Sequence, residues 1–266
     1  MELNNKLYRL KNMIKELGSI AVAYSGGVDS NFLLKVVSDT LGENSMAITL
    51  HAMMHSNREI EEAIEYAKSF NVKHEVVKIE DFKVKEFIEN GPKRCYYCKK
   101  AVFNKVIDIA NNNGIKYVVD GTNLDDLVDY RPGLKAIKEL NVISPLKECG
   151  FTKEDIRILS KEMNLKTYNK PAFACLATRI PCGTKITNEK LRMIEKSEEY
   201  LVSLGFNQFR VRLHEDIARI EVGKDELYKF FSNDILDKTN NKFKEFGFKY
   251  VTLDMGGYKM GSTNLT

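Results

Sequence analysis

The sequence contains no apolar run long enough to cross a bilayer, and neither sign of charge is in large excess. Its 266 residues include 41 Lys and Arg against 37 Asp and Glu, a net charge of +4. This balance suits anionic substrates and is far below that of a dedicated nucleic-acid binder. The charged, amphipathic opening predicts neither a signal peptide nor a membrane anchor. Five cysteines, an odd number, therefore predict a cytoplasmic protein whose thiols are metal ligands or reactive groups rather than disulfides.

Predicted strands alternate with predicted helices along most of the chain. An opening helix carries its leucines on one face, and apolar strands follow at "SIAVAY", "SMAITLHA", "KHEVVKI", "IKYVVDG" and "NVISPL". Strands that alternate with helices of this length predict βαβ units on a parallel sheet, and therefore an α/β fold. Ligands of such sheets bind outside the carboxyl ends of the strands, which is where the motifs below lie.

The pattern changes after about residue 183. A helix is followed by a hairpin over "FRVRLHEDIARIEV" that turns near Glu215 and Asp216. A long helix through Phe246 and a last strand, "KYVTLDM", complete a small α+β unit. We therefore predict two domains, over residues 1–183 and 184–266.

A glycine-rich stretch, "AVAYSGGVDSNFLL", joins the first predicted strand to the next helix. Gly26 and Gly27 can take positive φ values and bring backbone N–H groups close to a phosphate, and the helix start adds a positive dipole end. Ser25 and Ser30 can donate hydroxyl hydrogen bonds, and Asp29 can hold a magnesium ion on the phosphates. The alternative is a structural turn that Asp29 caps. The lysine of the common phosphate-binding loop is absent.

The pattern Ser-Gly-Gly-x-Asp-Ser over residues 25–30 closely resembles that of the PP-loop ATP pyrophosphatases. The resemblance implies cleavage of ATP between the α and β phosphates, formation of an adenylate and release of pyrophosphate, with the loop as a pyrophosphate clamp. After the fourth predicted strand, "DGTNLDDLVDYRPG" places Gly121, Thr122 and Asn123 beside the nucleotide. The acidic residues that follow either bind magnesium or cap a helix. They are Asp125, Asp126 and Asp129.

Two cysteines, Cys95 and Cys98, stand at the start of a predicted helix in "GPKRCYYCKK". C-x-x-C spacing lets two sulfurs reach one metal centre, and the helix dipole and neighbouring cations stabilise thiolates. A third cysteine, Cys175, lies in "KPAFACLATRIPCG". Three thiolates suit a zinc ion with one open site or an iron–sulfur cluster with one iron not bound by cysteine. A redox pair or a sacrificed thiol are the alternatives, and Cys149 is predicted to be a packed small residue.

Further motifs closely resemble those of the LarE sulfur transferases, in the same order along nearly the whole chain. They are "RCYYCK", "SPL", "KPAFACLATRIPCGTKIT", "RVRLHEDIARIEV" and "LDMGGYKMGS". The resemblance implies an enzyme that uses ATP and Mg2+ to adenylate a carboxylate of pyridinium-3,5-biscarboxylic acid mononucleotide. The carboxylate then becomes a thiocarboxylate of the nickel-pincer nucleotide cofactor.

The LarE resemblance also implies how sulfur is supplied. In one branch of the family a cysteine gives up its own sulfur. In the other, three cysteines hold a 4Fe–4S cluster whose open iron carries sulfide from a separate sulfide source. Cys95, Cys98 and Cys175 match the three-cysteine branch, which makes Cys175 and Asp29 the expected catalytic residues. The family further implies a homo-oligomer, and we expect no membrane partner.

An anionic mononucleotide requires cations. Arg210 and Arg212 occupy alternate positions of a strand and so share one face, and with Arg179 they can form a phosphate-binding group. The alternative is a solvated strand face with surface ion pairs. Two residues depart from the LarE pattern. Cys182 stands where an aromatic residue is expected and could compete as a fourth sulfur, and Lys259 stands where arginine is usual.

Three other functions fit part of the sequence. A tRNA thiolase of the PP-loop class also carries a C-x-x-C pair and a distant cysteine, but a net charge of +4 gives no sign of the basic surface that RNA binding requires. An amidotransferase-like synthetase, such as one that makes NAD or GMP, leaves the cysteines unexplained. A metal-binding regulator that keeps a nucleotide loop predicts ATP binding without pyrophosphate release.

Overall fold

The computed structural model of the chain describes residues 2–127, 132–171, 174–231 and 234–259. These residues divide into two compact units. Unit 1 comprises Met1–Phe87 and Lys93–Phe173, and unit 2 comprises Ile88–Pro92 and Ala174–Thr266. The division falls earlier in the chain than residue 183, where the sequence pattern places it, and a short early segment belongs to unit 2.

Unit 1 is built on a parallel sheet. Its helices are α1 (Glu2–Leu17), α2 (Val28–Leu41), α3 (Asn57–Lys68), α4 (Lys85–Ile88), α5 (Arg94–Asn112), α6 (Gly133–Glu139), α7 (Pro145–Glu148) and α8 (Lys153–Glu162). Its strands are β1 (Ile20–Ala23), β2 (Ser45–His51), β3 (Lys73–Lys78) and β4 (Tyr117–Val119). The strand order is β3-β2-β1-β4, and each neighbouring pair is parallel. The predicted α/β architecture is confirmed.

Both faces of the sheet are covered because its central strand is apolar on both. Ile20 and Val22 pack with residues of α1, α2 and α8 in one core. Ala21 packs with Met46 and residues of α5 in another. A continuous apolar run is typical of a parallel strand that is buried on both faces, and this run was the signal that located β1. Leu10 of α1 is fully buried, as the apolar face of the opening helix predicts.

The prediction of a fifth strand over "NVISPL" is wrong beyond one residue. Ile143 forms a single parallel bridge with Val119, and the chain then enters α7 at Pro145. Proline has no N–H for a ladder hydrogen bond, and its fixed φ suits the first position of a helix, so the strand ends there. Ser144 instead donates its hydroxyl to Asp120 Oδ1 at 2.6 Å.

Unit 2 carries a smaller sheet. Its elements are α9 (Asn188–Ser203), β5 (Phe209–His214), β6 (Ile217–Val222), α10 (Ile235–Glu245) and β7 (Tyr250–Leu253). The predicted hairpin of β5 and β6 is confirmed and turns at Glu215, whose φ is 54°. β7 lies parallel to β6. The predicted long helix through Phe246 begins only at Ile235, since a 3-10 helix occupies Lys224–Phe231. Within the described ranges, no helix has both the length and the apolar character needed to span a membrane.

The segment Ile88–Pro92 belongs to unit 2 because Asn90 holds one of its turns. Asn90 is fully buried, with a φ of 56°. Its side-chain amide donates to the carbonyl oxygens of Pro181 at 2.7 Å and Thr184 at 2.9 Å. Its own carbonyl accepts from the Gly183 N–H at 2.9 Å. A residue distant in sequence therefore fixes this turn.

Candidate active site

The loop between β1 and α2 is the predicted phosphate-binding loop, and it closes on its own hydroxyl groups. The Oγ atoms of Ser25 and Ser30 lie 3.0 Å apart. Ser30 Oγ donates to the Gly27 carbonyl at 3.3 Å and accepts from the Ser25 N–H at 3.3 Å. The 14 residues of α2 follow at once, so its unpaired N–H groups and positive dipole end lie at the loop. This geometry suits a bound anion.

Gly26 is required at its position for two independent reasons. Its φ of +69° lies in the left-handed region, which favours glycine. A Cβ added to it would lie 2.6 Å from the Cβ of Ala63 on α3. The loop therefore approaches α3 more closely than any other residue type allows.

We expect Gly26→Ala to destabilise the protein by more than the roughly 1–2 kcal/mol that a left-handed backbone alone costs. Gly114→Ala is a matched control, because Gly114 has a φ of +71° but nothing within 4 Å of an added Cβ. Urea unfolding of both variants measures the difference in the free energy of unfolding, and calorimetry should show weakened ATP binding only in Gly26→Ala. Equal destabilisation of the two variants would mean that the contact with Ala63 has no role.

Asp29, in the first turn of α2, is a buried carboxylate with one oxygen engaged. Its Oδ2 accepts from Lys153 Nζ at 2.5 Å. Its Oδ1 is buried and has no hydrogen-bond partner in the described part of the chain. Burial raises the pKa of the Asp29 carboxyl, while the Lys153 ammonium and the nearby Asn123 side chain oppose the shift. Such an oxygen can bind a divalent cation on a triphosphate, because hard cations take carboxylate ligands.

The loop after β4 approaches the phosphate loop closely. A Cβ added to Gly121 would lie 2.9 Å from the backbone nitrogen of Ser30, so this approach needs glycine. Thr122 and Asn123 are buried next to it, and Thr122 Oγ1 donates to Asp120 Oδ2 at 2.5 Å. The fold thus brings the residues predicted on the nucleotide side to the loop predicted to hold the phosphates.

The acidic residues of the same loop bind backbone groups. Asp126 Oδ2 accepts from the Asn123 N–H at 3.0 Å, and Asp125 Oδ2 accepts from the Lys153 N–H at 2.8 Å. Both carboxylates therefore hold the loop and the start of α8 in place, which is the capping role that the sequence left open. Asp129, the third acidic residue of the motif, lies outside the described residues.

Two lysines that no sequence motif marks reach the phosphate loop. Lys153 pairs with Asp29, as described above. Lys170 Nζ lies 2.7 Å from Glu62 Oε2 and donates to the Gly26 carbonyl at 3.3 Å, and its side chain is 12% exposed. Lys153 follows the capping residue of α8 and Lys170 lies in a turn, so only the fold places their charges at the loop. They supply the positive charge that the glycine motif itself lacks.

A buried hydrogen-bond network supports the base of the loop. The Tyr24 hydroxyl donates to Asn31 Oδ1 at 2.7 Å, and Asn31 Nδ2 donates to Thr167 Oγ1 at 2.9 Å. Thr49 Oγ1 donates to the Tyr24 carbonyl at 2.7 Å and lies 2.8 Å from His74 Nε2. Burial raises the pKa of the Tyr24 hydroxyl, so it remains a donor at neutral pH. Such a network fixes the loop in one arrangement.

Cys95 and Cys98 both lie in the first turn of α5 and are half-buried. Residues three apart share one face of a helix, so both sulfurs can reach one metal centre. Arg94 Nη2 lies 4.0 Å from Cys95 Sγ, whereas Lys100 pairs with Glu139 Oε2 at 3.3 Å. Of these two neighbouring cations, Arg94 is therefore the one that contacts a sulfur.

This pair fits two of the ligands of an iron–sulfur cluster, because clusters are held by cysteine thiolates. Across the residues that the structure describes, no three His, Cys, Asp or Glu side chains come together as a metal site. Cys175 belongs to unit 2. A centre held by three cysteines stays a prediction.

Cys175 precedes a short 3-10 helix, Leu176–Arg179, and its backbone is held at several points. The Cys175 carbonyl accepts from the Thr178 N–H at 3.0 Å, from Thr178 Oγ1 at 2.9 Å and from Arg179 Nη1 at 3.1 Å. Arg179 is buried and forms a bidentate pair with Glu198, with both distances 2.9 Å. No motif in the sequence marks Glu198.

The predicted substrate arginines of β5 are also buried. Arg210 and Arg212 are 5% and 6% exposed, so this is not a solvated strand face. Arg212 forms a bidentate pair with Glu221 at 3.1 and 3.0 Å, and the Arg210 guanidinium lies 5.0 Å from the ring centroid of Tyr258. Burial lowers the pKa of Arg210, and the neighbouring Arg179 lowers it further. The fold therefore gathers the arginines into one cationic cluster, whose role as phosphate ligand stays a prediction.

The two remaining cysteines have different surroundings. Cys149 is buried in the core, as predicted for a packed small residue, and burial raises the pKa of its thiol. Cys182 is exposed, and its Sγ donates to the Asn90 carbonyl at 3.3 Å. Its competition as a fourth sulfur ligand stays a prediction.

Known proteins resemble this chain over most or all of its length. Residues 19–172 match a protein family described as "Family of unknown function (DUF7411)". The chain is 40% identical over 262 residues to an uncharacterized protein of Synechocystis sp., covering 98% of each. It is 37% identical over 265 residues to the pyridinium-3,5-bisthiocarboxylic acid mononucleotide synthase of Lactiplantibacillus plantarum, covering 99% of this chain and 95% of that protein. A glutamine-hydrolyzing GMP synthase of Thermoplasma volcanium is 26% identical over 215 residues, which cover 73% of this chain and 67% of that protein.

A parallel sheet with a Ser-Gly-Gly-x-Asp-Ser loop at the carboxyl end of β1, in a chain related to a GMP synthase, defines the class of PP-loop ATP pyrophosphatases. Similarity over the full length narrows the class further. The chain belongs to the family described as DUF7411 over residues 19–172 and, over its full length, to the LarE family, which makes it an ATP-using sulfur transferase.

Proposed function

We propose that this enzyme adenylates a carboxylate of pyridinium-3,5-biscarboxylic acid mononucleotide, releases pyrophosphate and converts the carboxylate to a thiocarboxylate, in the biosynthesis of the nickel-pincer nucleotide cofactor. Support comes from the synthase of Lactiplantibacillus plantarum, which is 37% identical over nearly the full length. The observation that carries the proposal is the buried Asp29 carboxylate in the phosphate loop, one of whose oxygens has no partner among the described residues.

The phosphate loop binds the triphosphate of ATP, which enters with its magnesium ion as the substrate. The backbone N–H groups and hydroxyls of residues 25–30 hold the β and γ phosphates, which form the leaving group. Asp29 Oδ1 binds the magnesium ion, and Lys153 and Lys170 offset the negative charge of the phosphates. The loop after β4 forms the nucleotide side of the site, because Gly121 lies against Ser30.

The reaction has two displacements. In the first, an oxygen of the substrate carboxylate attacks the α phosphorus of ATP, and pyrophosphate leaves with the electron pair of the broken P–O bond. In the second, a sulfide-level sulfur attacks the carbonyl carbon of the adenylate, and AMP leaves with the electron pair of the C–O bond. The first step uses the phosphate loop, and the second requires a sulfur nucleophile.

The cationic cluster of unit 2 binds the phosphate of the mononucleotide. Arginine forms two parallel hydrogen bonds to a phosphate, and Arg210 and Arg212 lie on one strand with Arg179 close by. Glu198 and Glu221 fix the orientation of Arg179 and Arg212 through bidentate pairs. A site whose cations are already held in place binds an anion with little loss of side-chain freedom.

We propose Cys95, Cys98 and Cys175 as the ligands of a 4Fe–4S cluster, whose remaining iron carries the sulfide to be transferred. Cys95 and Cys98 supply two thiolates from one face of α5, and Arg94 places positive charge beside Cys95. The alternative is that Cys175 is consumed as the sulfur donor.

Iron and acid-labile sulfide, measured on protein purified and reconstituted without oxygen, test the sulfur step. We expect about four of each per chain. Cys98→Ala should lose iron and keep pyrophosphate release. As its counterpart, Ser30→Ala should weaken pyrophosphate release and keep the iron. Neither iron nor sulfide in the wild-type protein would remove the cluster from the mechanism and leave Cys175 as the candidate donor.

A further inference from the structure

The contacts of Arg179 are with the backbone next to Cys175. We infer that Arg179 is a positioning residue, whose guanidinium fixes the backbone from which the Cys175 sulfur projects. This inference rests on the proposed function, in which Cys175 handles the transferred sulfur. It goes beyond the assignment of Arg179 to a phosphate-binding group, because the named partners are protein atoms.

One edge of the guanidinium holds the peptide groups on both sides of Cys175. Arg179 Nη1 donates to the Ala174 carbonyl at 2.5 Å and to the Cys175 carbonyl at 3.1 Å. The same nitrogen donates to Thr178 Oγ1 at 2.9 Å, which in turn donates to the Cys175 carbonyl. The carbonyls before and after the Cα of Cys175 are thus fixed by one planar group, which sets the direction of the side chain.

The other edge of the guanidinium joins this turn to α9 and β5. Arg179 Nε and Nη2 donate to the two carboxylate oxygens of Glu198, each at 2.9 Å. Glu198 also accepts from the Val211 N–H of β5 at 3.0 Å. Arg212 reaches the same turn from β5, since its Nη1 donates to the Thr178 carbonyl at 2.9 Å. The Cys175 turn and the strand of the predicted phosphate ligands therefore form one hydrogen-bonded assembly.

Lysine cannot reproduce these contacts. Its ammonium is a single point charge on a flexible stem, whereas the guanidinium presents five donors in a rigid fork. In Arg179→Lys the buried Glu198 keeps a cationic partner, which preserves the charge balance of the core. The carbonyls of Ala174 and Cys175 lose their common donor, so the turn is released while the fold is kept.

Alkylation of individual cysteines tests the inference without metal or substrate. The full-length chain is treated with chelator under reducing conditions, and iodoacetamide labelling rates are read by mass spectrometry. Trypsin cleaves after Arg179 and after its lysine replacement, so Cys175 and Cys182 are read on separate peptides. In Arg179→Lys we expect Cys175 labelling to speed up by about fivefold or more, because lost hydrogen bonds let the turn open. Cys182 is the internal control, and its rate should change by less than about twofold.

Two further measurements separate this inference from the proposed function. In Arg179→Lys, kcat for thiocarboxylate formation should fall while KM for the mononucleotide changes little. Glu198→Gln releases the same arginine and should also speed Cys175 labelling, which keeps the test valid if Arg179→Lys fails to fold. Unchanged Cys175 labelling with weakened mononucleotide affinity would overturn the inference and make Arg179 a phosphate ligand. Faster labelling, with no thiocarboxylate from the wild-type enzyme, would support the inference and refute the proposed function.

Discussion

Asp29→Asn is expected to slow pyrophosphate release by about a hundredfold to a thousandfold, the usual effect of losing one preorganised polar group at a reacting centre. Asparagine keeps the size and shape of the side chain and removes its charge. Lys153 then loses the carboxylate that it contacts at 2.5 Å, and the magnesium of the bound ATP loses its proposed ligand. A coupled assay of pyrophosphate, with ATP and the mononucleotide as substrates, measures the rate.

Asp39→Asn is the matched control for this variant. Asp39 lies on the same helix, pairs with Lys35 at 2.6 Å and has a side chain that is 49% exposed. Exposed pairs of this kind contribute at most about 1 kcal/mol to stability, so the rate should stay near that of the wild type. A similar rate for Asp29→Asn would return Asp29 to the role of a structural cap, which was the alternative from the sequence.

Cys175→Ala is expected to reduce thiocarboxylate formation to the background seen without enzyme, while pyrophosphate release continues. The variant loses a sulfur that both proposed routes need, since Cys175 is either a cluster ligand or the donor itself. The phosphate loop lies in unit 1 and Cys175 in unit 2, so the residues of the adenylation step are unchanged. Mass spectrometry of the mononucleotide and the pyrophosphate assay measure the two steps on the same sample.

Cys182→Ala provides the comparison for this prediction. Cys182 is exposed and belongs to the same unit, and the product yield of its alanine variant should equal that of the wild type. Iron bound by Cys175→Ala then separates the two routes, because a ligand variant loses iron and a donor variant does not. Full thiocarboxylate formation by Cys175→Ala would exclude Cys175 from both roles.

The sequence predicts those parts of the fold and site that depend on neighbouring residues. The apolar run at β1 and the glycines after it are local patterns, so they locate a buried strand and the loop at its carboxyl end. The fifth strand fails for a reason that is equally local. Pro145 can begin a helix but cannot continue a ladder, and its effect outweighs the apolar residues before it.

The partners of the charged groups could not be predicted in the same way. Lys153 and Lys170 lie far from the glycine motif in sequence, and no periodicity links them to it. The spacing of Arg210 and Arg212 indicates a shared face but not the buried carboxylates that pair with their cluster. Contacts between distant residues depend on the packing of the whole unit, which a pattern within one segment does not encode.

The placement of Asn90 bears on how this chain can be inherited and recombined. A gene fragment that starts at Ala174 encodes every strand of the smaller sheet and still lacks the amide that satisfies the carbonyls of Pro181 and Thr184. Recombination between relatives at a single crossover before Ala174 would join this turn to an Asn90 from another lineage. The carboxyl-terminal region is therefore not a portable cassette, and its true unit of exchange includes Ile88–Pro92.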